Sequence, residues 1–181
     1  MTVARAVWRQ LEAGDYSLVR RVHRWRAPRP LRLLMIYATR MGDGWLWLVL
    51  GMALYQFGGA NRYLAIAAGA TAAGAGIVIF SSLKHTSRRK RPYEIVPHCW
   101  AAIPPPDRYS FPSGHTITAF AVALSIGAFY HPLLLLLLGA AILIAASRIL
   151  LGMHFLSDVL AGSIIGMALG RLSFHLFLHL R

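Results

Sequence analysis

From Gly44 to Leu178 the chain is a series of apolar runs, and only one of the stretches between them is both long and polar. Each run must be covered by protein or by lipid, and 181 residues cannot bury all of them in a water-soluble core. The hydrophobic share is 57% and the mean hydropathy is +0.54, above that of an ordinary soluble domain. With roughly 20 residues per crossing, the pattern predicts spans over about 44–60, 63–83, 113–130, 132–150 and 154–178. The expected fold is all-α, a polytopic membrane helical bundle of about five transmembrane helices. Residues 58–62 and 130–132 read as tight turns, whereas 84–111 is basic and carries Pro92, Pro97, Pro104, Pro105 and Pro106. Small residues over 65–76, and Gly162, Gly166 and Gly170, would let helices approach closely. The leucines of 133–138 are expected to face lipid.

Residues 1–43 differ in kind. Arg5, Arg9, Arg20, Arg21, Arg24, Arg26, Arg29, Arg32 and Arg40 alternate with Trp8, Leu11, Leu18, Val22 and Trp25, and no stretch is long enough to cross. The spacing predicts one or two amphipathic helices lying in the membrane interface, broken near Pro28 and Pro30, with a partly ordered arm as the alternative. The chain thus divides into a basic amphipathic interfacial segment, 1–43, and a membrane-embedded domain, 44–181. A net charge of +13 would suit a nucleic-acid binder. Beside apolar spans it suits anionic headgroups instead, so the expected partner is the bilayer and no nucleic acid. Cys99, a single cysteine, can form no internal disulfide, and the N-terminus lacks the pattern of a cleavable signal peptide.

Alternating passes through a membrane bring the end of the second span, the start of the third, the end of the fourth and the start of the fifth to one face. That face collects Lys84, Arg91, Ser113, His115, Arg148, His154 and Asp158. Ionisable groups at a membrane edge are costly, and their clustering marks a functional site. Lys84 and Arg91 lie seven residues apart, two helical turns, and would share a side if the helix ran on to Pro92. His154 and Asp158, four apart, would be neighbours on one helix face, the carboxylate holding one ring nitrogen and freeing the other as a nucleophile. A structural hydrogen-bonded pair is the plainer reading of these two alone. Pro112, Ser113 and Gly114 read as a helix start, with proline in the first turn and serine as cap. Its free amides would hold an anion, and His115 beside them could protonate a leaving alkoxide.

In order along the chain, Lys84 to Pro92 spell K-x6-RP, Pro112 to His115 spell PSGH, and Ser147, Arg148, His154 and Asp158 spell SR-x5-H-x3-D. Together these motifs resemble the type 2 phosphatidic acid phosphatase superfamily, which includes lipid phosphate phosphatases and is related to vanadium haloperoxidases. The resemblance implies an integral-membrane phosphatase acting on a lipid phosphate or a polyprenyl diphosphate. His154 would be the nucleophile, forming a phosphohistidine, with Asp158 as its partner and His115 as general acid. Lys84, Arg91, Arg148, Ser113 and Gly114 would hold the phosphate. The resemblance calls for no metal and no cofactor. The alternative is a lipid-phosphate binding or transport protein that retains the pocket, which would need the cations and amides but not an aligned nucleophile and acid. Oligomeric state stays open, because Gly162, Gly166 and Gly170 can pack within or between subunits.

The resemblance also implies a multi-pass protein of a bacterial cell membrane. Many bacterial relatives have six spans, and the counterpart of a first span is missing here. With five, the N-terminus shares the face of the site, which then carries the nine arginines of 1–40 plus Lys84, Arg88, Arg89, Lys90, Arg91 and Arg108, against Arg62, Arg171 and Arg181 opposite. Charge bias turns that face to the cytoplasm, whereas many bacterial relatives act on the outer side. A reporter active only outside the cytoplasm, fused after Arg181, gives a signal if the bias rules and stays silent if the site faces outward.

Overall fold

The computed structural model describes residues 3–95, 100 and 107–180, with side chains from residue 10 onward. Pro97, Cys99, Pro104, Pro105, Pro106 and Arg181 lie outside the described residues, as do the side chains of Arg5, Trp8 and Arg9. The described residues form helices and turns without strands: α1 (Val3–Arg24), α2 (Arg29–Met41), α3 (Trp45–Phe57), α4 (Arg62–Ser87), a short α5 (Pro92–Ile95), α6 (Gly114–Phe129), α7 (His131–Leu150) and α8 (Leu156–Leu178).

Each of the five apolar runs is one helix. Three of them, α4, α7 and α8, are long and apolar enough to cross a membrane, whereas α3 and α6 are apolar but have 13 and 16 residues. At 1.5 Å per residue α6 extends only about 24 Å, yet it has little need to match a bilayer. It is the central helix, packed by α4, α7 and α8, and most of its residues are buried.

What draws α8 against α6 is backbone contact through glycine. A Cβ on Gly166 would stand 2.4 Å from the carbonyl oxygen of Ile117, one on Gly170 would stand 2.6 Å from that of Ala121, and one on Gly162 would stand 2.9 Å from that of Ser113. The four-residue spacing places all three on one stripe of α8, where dispersion between closely packed backbones replaces the hydrophobic drive that lipid cannot supply. Gly76 of α4 faces Ile117 too: a Cβ there would stand 2.8 Å from Cγ2 of Ile117. The small-residue stretches thus act as helix contacts.

The N-terminal segment forms two helices that separate before Pro28, with Pro30 in the first turn of α2, where a missing N–H costs nothing. Helix α1 packs on α8 and α2 packs on α7. Asp15 and Val19 of α1 are buried while Arg20, Arg21 and Arg24 are exposed, so the helix is amphipathic. Met35 of α2 joins Trp100, Leu151 and Met153 in a small apolar cluster beneath the α7–α8 turn.

Four local expectations are corrected. Leu135 and Leu136 are exposed, but Leu137 is in the core, because a helix turning 100° per residue cannot point six successive side chains outward. Helix α4 stops at Ser87, where Arg88 takes a left-handed conformation (φ 50°) and donates its N–H to the carbonyl of Lys84, so no helix runs from Lys84 to Pro92. Helix α8 begins at Leu156, which leaves His154 outside it in a turn made by Gly152 (φ 68°). Pro112 precedes α6 and is not in its first turn, and Ser113, although at the cap position, makes no side-chain capping bond.

Replacing Gly166 with valine should therefore lower the thermal unfolding midpoint in detergent, by the equivalent of about 1–3 kcal/mol of overpacking. Gly139→Ala, at a position with nothing within 4 Å, should leave it unchanged or raise it.

Candidate active site

The cluster is assembled from helix ends and the turns between them. Lys84 is on the last turn of α4, and the left-handed residue after that helix sends Arg89 and Arg91 back under the bundle. Arg91 is fully buried. Its Nη1 donates to the carbonyl of Met153 at 2.8 Å and lies 3.3 Å from Nε2 of His154, while its Nη2 donates to Oδ1 of Asp107 at 2.7 Å. The other oxygen of Asp107 accepts from Nζ of Lys84 at 2.6 Å. One carboxylate thus bridges two cations. Burial alone would raise the Asp107 pKa, but Lys84 and Arg91 outweigh it and hold the carboxyl below its ordinary range.

Arg148, from the last turn of α7, is buried and donates to Oγ1 of Thr39 on α2. Its carbonyl accepts the backbone N–H of both Met153 and His154 at 3.0 Å, so the α7–α8 turn is tied to the helix that precedes it. His154 is 1% exposed. Burial pushes its pKa well below the ordinary histidine value, against the pull of Asp158, which favours the neutral ring with its lone pair.

His154 and Asp158 do meet, though not as neighbours on a helix face. Asp158 is at the third position of α8, where its Oδ2 accepts the N–H of Phe155 at 2.8 Å and stands 3.6 Å from Nδ1 of the imidazole. That is an ion-pair distance, longer than a formed hydrogen bond. With Nδ1 toward the carboxylate, Nε2 is the nitrogen turned toward Arg91. Asp158 has further support: Oδ2 also accepts from Oγ of Ser110, and Oδ1 accepts from Nη1 of Arg89 at 2.6 Å. Arg89 in turn binds Asp15 of α1 at 2.7 Å, and its guanidinium lies 4.2 Å from the ring centroid of Phe155.

The start of α6 closes the arrangement. Ser113 is buried; its N–H donates to the carbonyl of Asp158 at 3.2 Å, and its Oγ accepts from Oγ1 of Thr116 at 2.9 Å. That bond occupies the hydroxyl oxygen that would have capped the helix. Gly114 packs on the Phe80 ring, whose nearest atom would be 3.0 Å from an added Cβ. The first amides of α6 have no partner within the helix, which makes this end an anion site by geometry and dipole. Nε2 of His115, in the same turn, is 2.8 Å from Oδ1 of Asp43.

Lys84, Asp107, Gly114, His115, Arg148 and Met153 line a cavity of about 720 Å³ whose remaining wall includes Trp47, Ala73, Ile77 and Phe80 of α3 and α4. Arg91 and His154 are buried and are not lining residues; Arg91 contacts two that are, Met153 and Asp107. Of the eight residues singled out from the sequence, Lys84, Gly114, His115 and Arg148 line the cavity, whereas Arg91, Ser113, His154 and Asp158 do not line it and are joined to it through their contacts with one another and with Asp107 and Met153. Six more, Asp15, Thr39, Asp43, Arg89, Asp107 and Ser110, hold them in place and lie outside the spaced motifs' defining positions. One signal could have found several: the chain has only four aspartates, Asp15, Asp43, Asp107 and Asp158, and every one contacts this cluster.

A polytopic helical protein with cations, helix-start amides and one histidine at a cavity, and a second histidine buried nearby against a further cation, has the form of a membrane phosphatase. The PAP2 superfamily model matches residues 44–181. The decaprenylphosphoryl-5-phosphoribose phosphatase of Mycobacterium tuberculosis is 37% identical over 128 residues, 70% of this chain and 68% of the relative. Among solved structures, Aquifex aeolicus LpxE superposes with a TM-score of 0.71 at 30% identity, covering 88% of this chain and 93% of that one. A phosphatidylglycerolphosphate phosphatase from Bacillus subtilis superposes at 0.76, with 22% identity over 95% of this chain and 88% of that one. The chain belongs to the PAP2 superfamily. It is a multi-pass integral membrane protein and a phosphoric ester hydrolase.

Because Asp107 sits on two cations, an oxyanion that bound to them would have to displace it. Asp107→Asn should strengthen inhibition by vanadate about tenfold, the order of one exchanged charge contact. Unchanged or weaker inhibition would show that the carboxylate and the oxyanion do not compete.

Proposed function

We propose that this protein removes a terminal phosphate from a lipid phosphomonoester or a prenyl diphosphate through a phosphohistidine on His154. The observation that carries the reading is the two-sided cavity. Lys84, Arg148, Gly114 and His115 meet at one part, and Trp47, Ala73, Ile77 and Phe80 make an apolar wall beside them. Ile77 is half exposed, and its neighbour Val78 on the same helix is more exposed still, which suits a wall that adjoins lipid. A headgroup can be held by charge while its tail stays in hydrocarbon. The Mycobacterium tuberculosis relative is named for a substrate of this kind, a phosphate on a prenyl-linked sugar.

In the first step the phosphate displaces Asp107 and is held by Lys84, Arg91, Arg148 and the amides beside Ser113 and Gly114. Nε2 of His154 attacks phosphorus in line, forming the N–P bond as the bond to the leaving oxygen breaks. Asp158 holds Nδ1–H and stabilises the positive ring, and His115 gives its proton to the departing oxygen. In the second step His115 takes a proton from water, the water oxygen bonds to phosphorus, and the N–P bond breaks. Inorganic phosphate leaves, and His115 is protonated again.

We place residues 1–43 in the interface of a bacterial cell membrane. The exposed Arg20, Arg21, Arg24, Arg26, Arg29 and Arg32, with exposed Trp25, Leu33 and Leu34, suit anionic headgroups beside an apolar boundary.

The test is phosphate release from lipid phosphates and prenyl diphosphates in detergent. Wild-type protein should hydrolyse at least one class, insensitive to chelator and inhibited by vanadate. His154→Ala should lose more than about a thousandfold. Substantial turnover by His154→Ala overturns the mechanism, and saturable lipid binding without release favours the transport reading.

A further inference from the structure

The proposed mechanism asks His115 to hold a proton at one ring nitrogen and deliver it to a leaving oxygen, which needs the other nitrogen fixed. The partner comes from a part of the chain that no catalytic motif covers, the corner between α2 and α3. There the sequence Gly42-Asp43-Gly44 turns the chain beside the cavity, and all three residues line it. Gly44, at φ 107°, adopts a conformation that side chains resist. Gly42 leaves no room for one: a Cβ there would stand 2.9 Å from Cδ2 of His115. The corner is therefore shaped to bring its central carboxylate against the imidazole, with Oδ1 2.8 Å from Nε2. One turn earlier on α2, Thr39 accepts from Arg148, so the same segment touches a phosphate-binding cation as well. Arg40 and Arg148 are the other charged neighbours of Asp43, Arg40 at a looser 3.5 Å on the exposed side.

We infer that Asp43 is a positioning residue for the acid of this reaction, completing a second histidine–aspartate pair that faces the His154–Asp158 pair across the phosphate. The inference rests on His115 being the general acid. With Nε2–H donated to Asp43, Nδ1 is the nitrogen that remains for the substrate, and it has no hydrogen bond among the described residues. When the His154–phosphorus bond forms and the ester bond breaks, the proton on Nδ1 goes to the departing alkoxide. Asp43 stays ionised, holds Nε2–H and keeps the ring aimed. When water attacks the phosphohistidine, its proton returns to Nδ1 against the same fixed ring. The two aspartates thus do similar work for different reasons, one orienting a nucleophile and the other an acid.

A general acid matters most when the leaving group is a poor one, which supplies a test that folding losses do not confuse. The values of kcat/KM for octyl phosphate and p-nitrophenyl phosphate are measured on the same preparation, so that their ratio is independent of how much protein is active. Asp43→Asn should lose about 10- to 100-fold on octyl phosphate and under about 3-fold on p-nitrophenyl phosphate. His115→Gln should show the same selectivity, and the double variant should be no worse than His115→Gln alone, as expected of residues acting as one unit. Asp43→Glu should recover part of the octyl phosphate rate. An equal loss on both substrates, or no loss, in Asp43→Asn while His115→Gln is selective overturns the role of Asp43 alone. If His115→Gln is itself unselective, the underlying assignment of the acid fails instead.

Discussion

Charge compensation in a low-dielectric interior is the constraint on which this molecule depends. Lys84, Arg91 and Arg148 are buried in the bundle and Arg89 is largely buried at its end. An unpaired charge there would cost several kcal/mol. Asp15, Asp107 and Asp158 answer Lys84, Arg89 and Arg91 directly, and Arg148 relies on Thr39 and on the nearby carboxylates. Such pairs are weak sources of stability. What they provide is placement: each cation is held at a defined point before any substrate arrives, which is the form of preorganisation that oxyanion chemistry exploits. The bridge from Asp107 to Lys84 and Arg91 resembles the load a phosphoryl group would impose, and so keeps the cradle assembled while it is empty of substrate.

The glycine contacts of α8 against α6 serve the same end. They fix where the start of one helix and the turn before the other meet, and the N–H of Ser113 donates to the carbonyl of Asp158 at that junction. Anything that pushed the two helices apart would separate the first amides of α6 from Asp158 and His154. Helix α1 reaches the same point from outside, because Asp15 holds both Arg89 and Ser157. The N-terminal segment is thus mechanically continuous with the residues that support His154.

Much of the fold was readable because membrane segments announce themselves: apolar length and the two prolines near residue 29 located the helices. The motif residues were readable because each is at a helix end or in the turn beside one, where four passes must converge. Their local geometry was less so. The histidine–aspartate spacing of four suggested one helix face, but the pair forms across a helix start, since Asp158 is spent on capping Phe155 while also facing His154. Lys84 and Arg91 share a partner despite the break at Arg88, because a turn and not a helix brings them together. Asp43 and Asp107 were missed because a single carboxylate in a loop carries no period. Their rarity in a chain of net charge +13 was the available clue.

The account stands on a phosphoryl group passing through one imidazole. Protein mixed with phosphorus-labelled substrate and quenched in alkali during the first turnover should carry phosphate that is stable to base, labile to acid and located by mass spectrometry on His154. A full burst of product with no protein-bound phosphate, or label on any other residue, would contradict it.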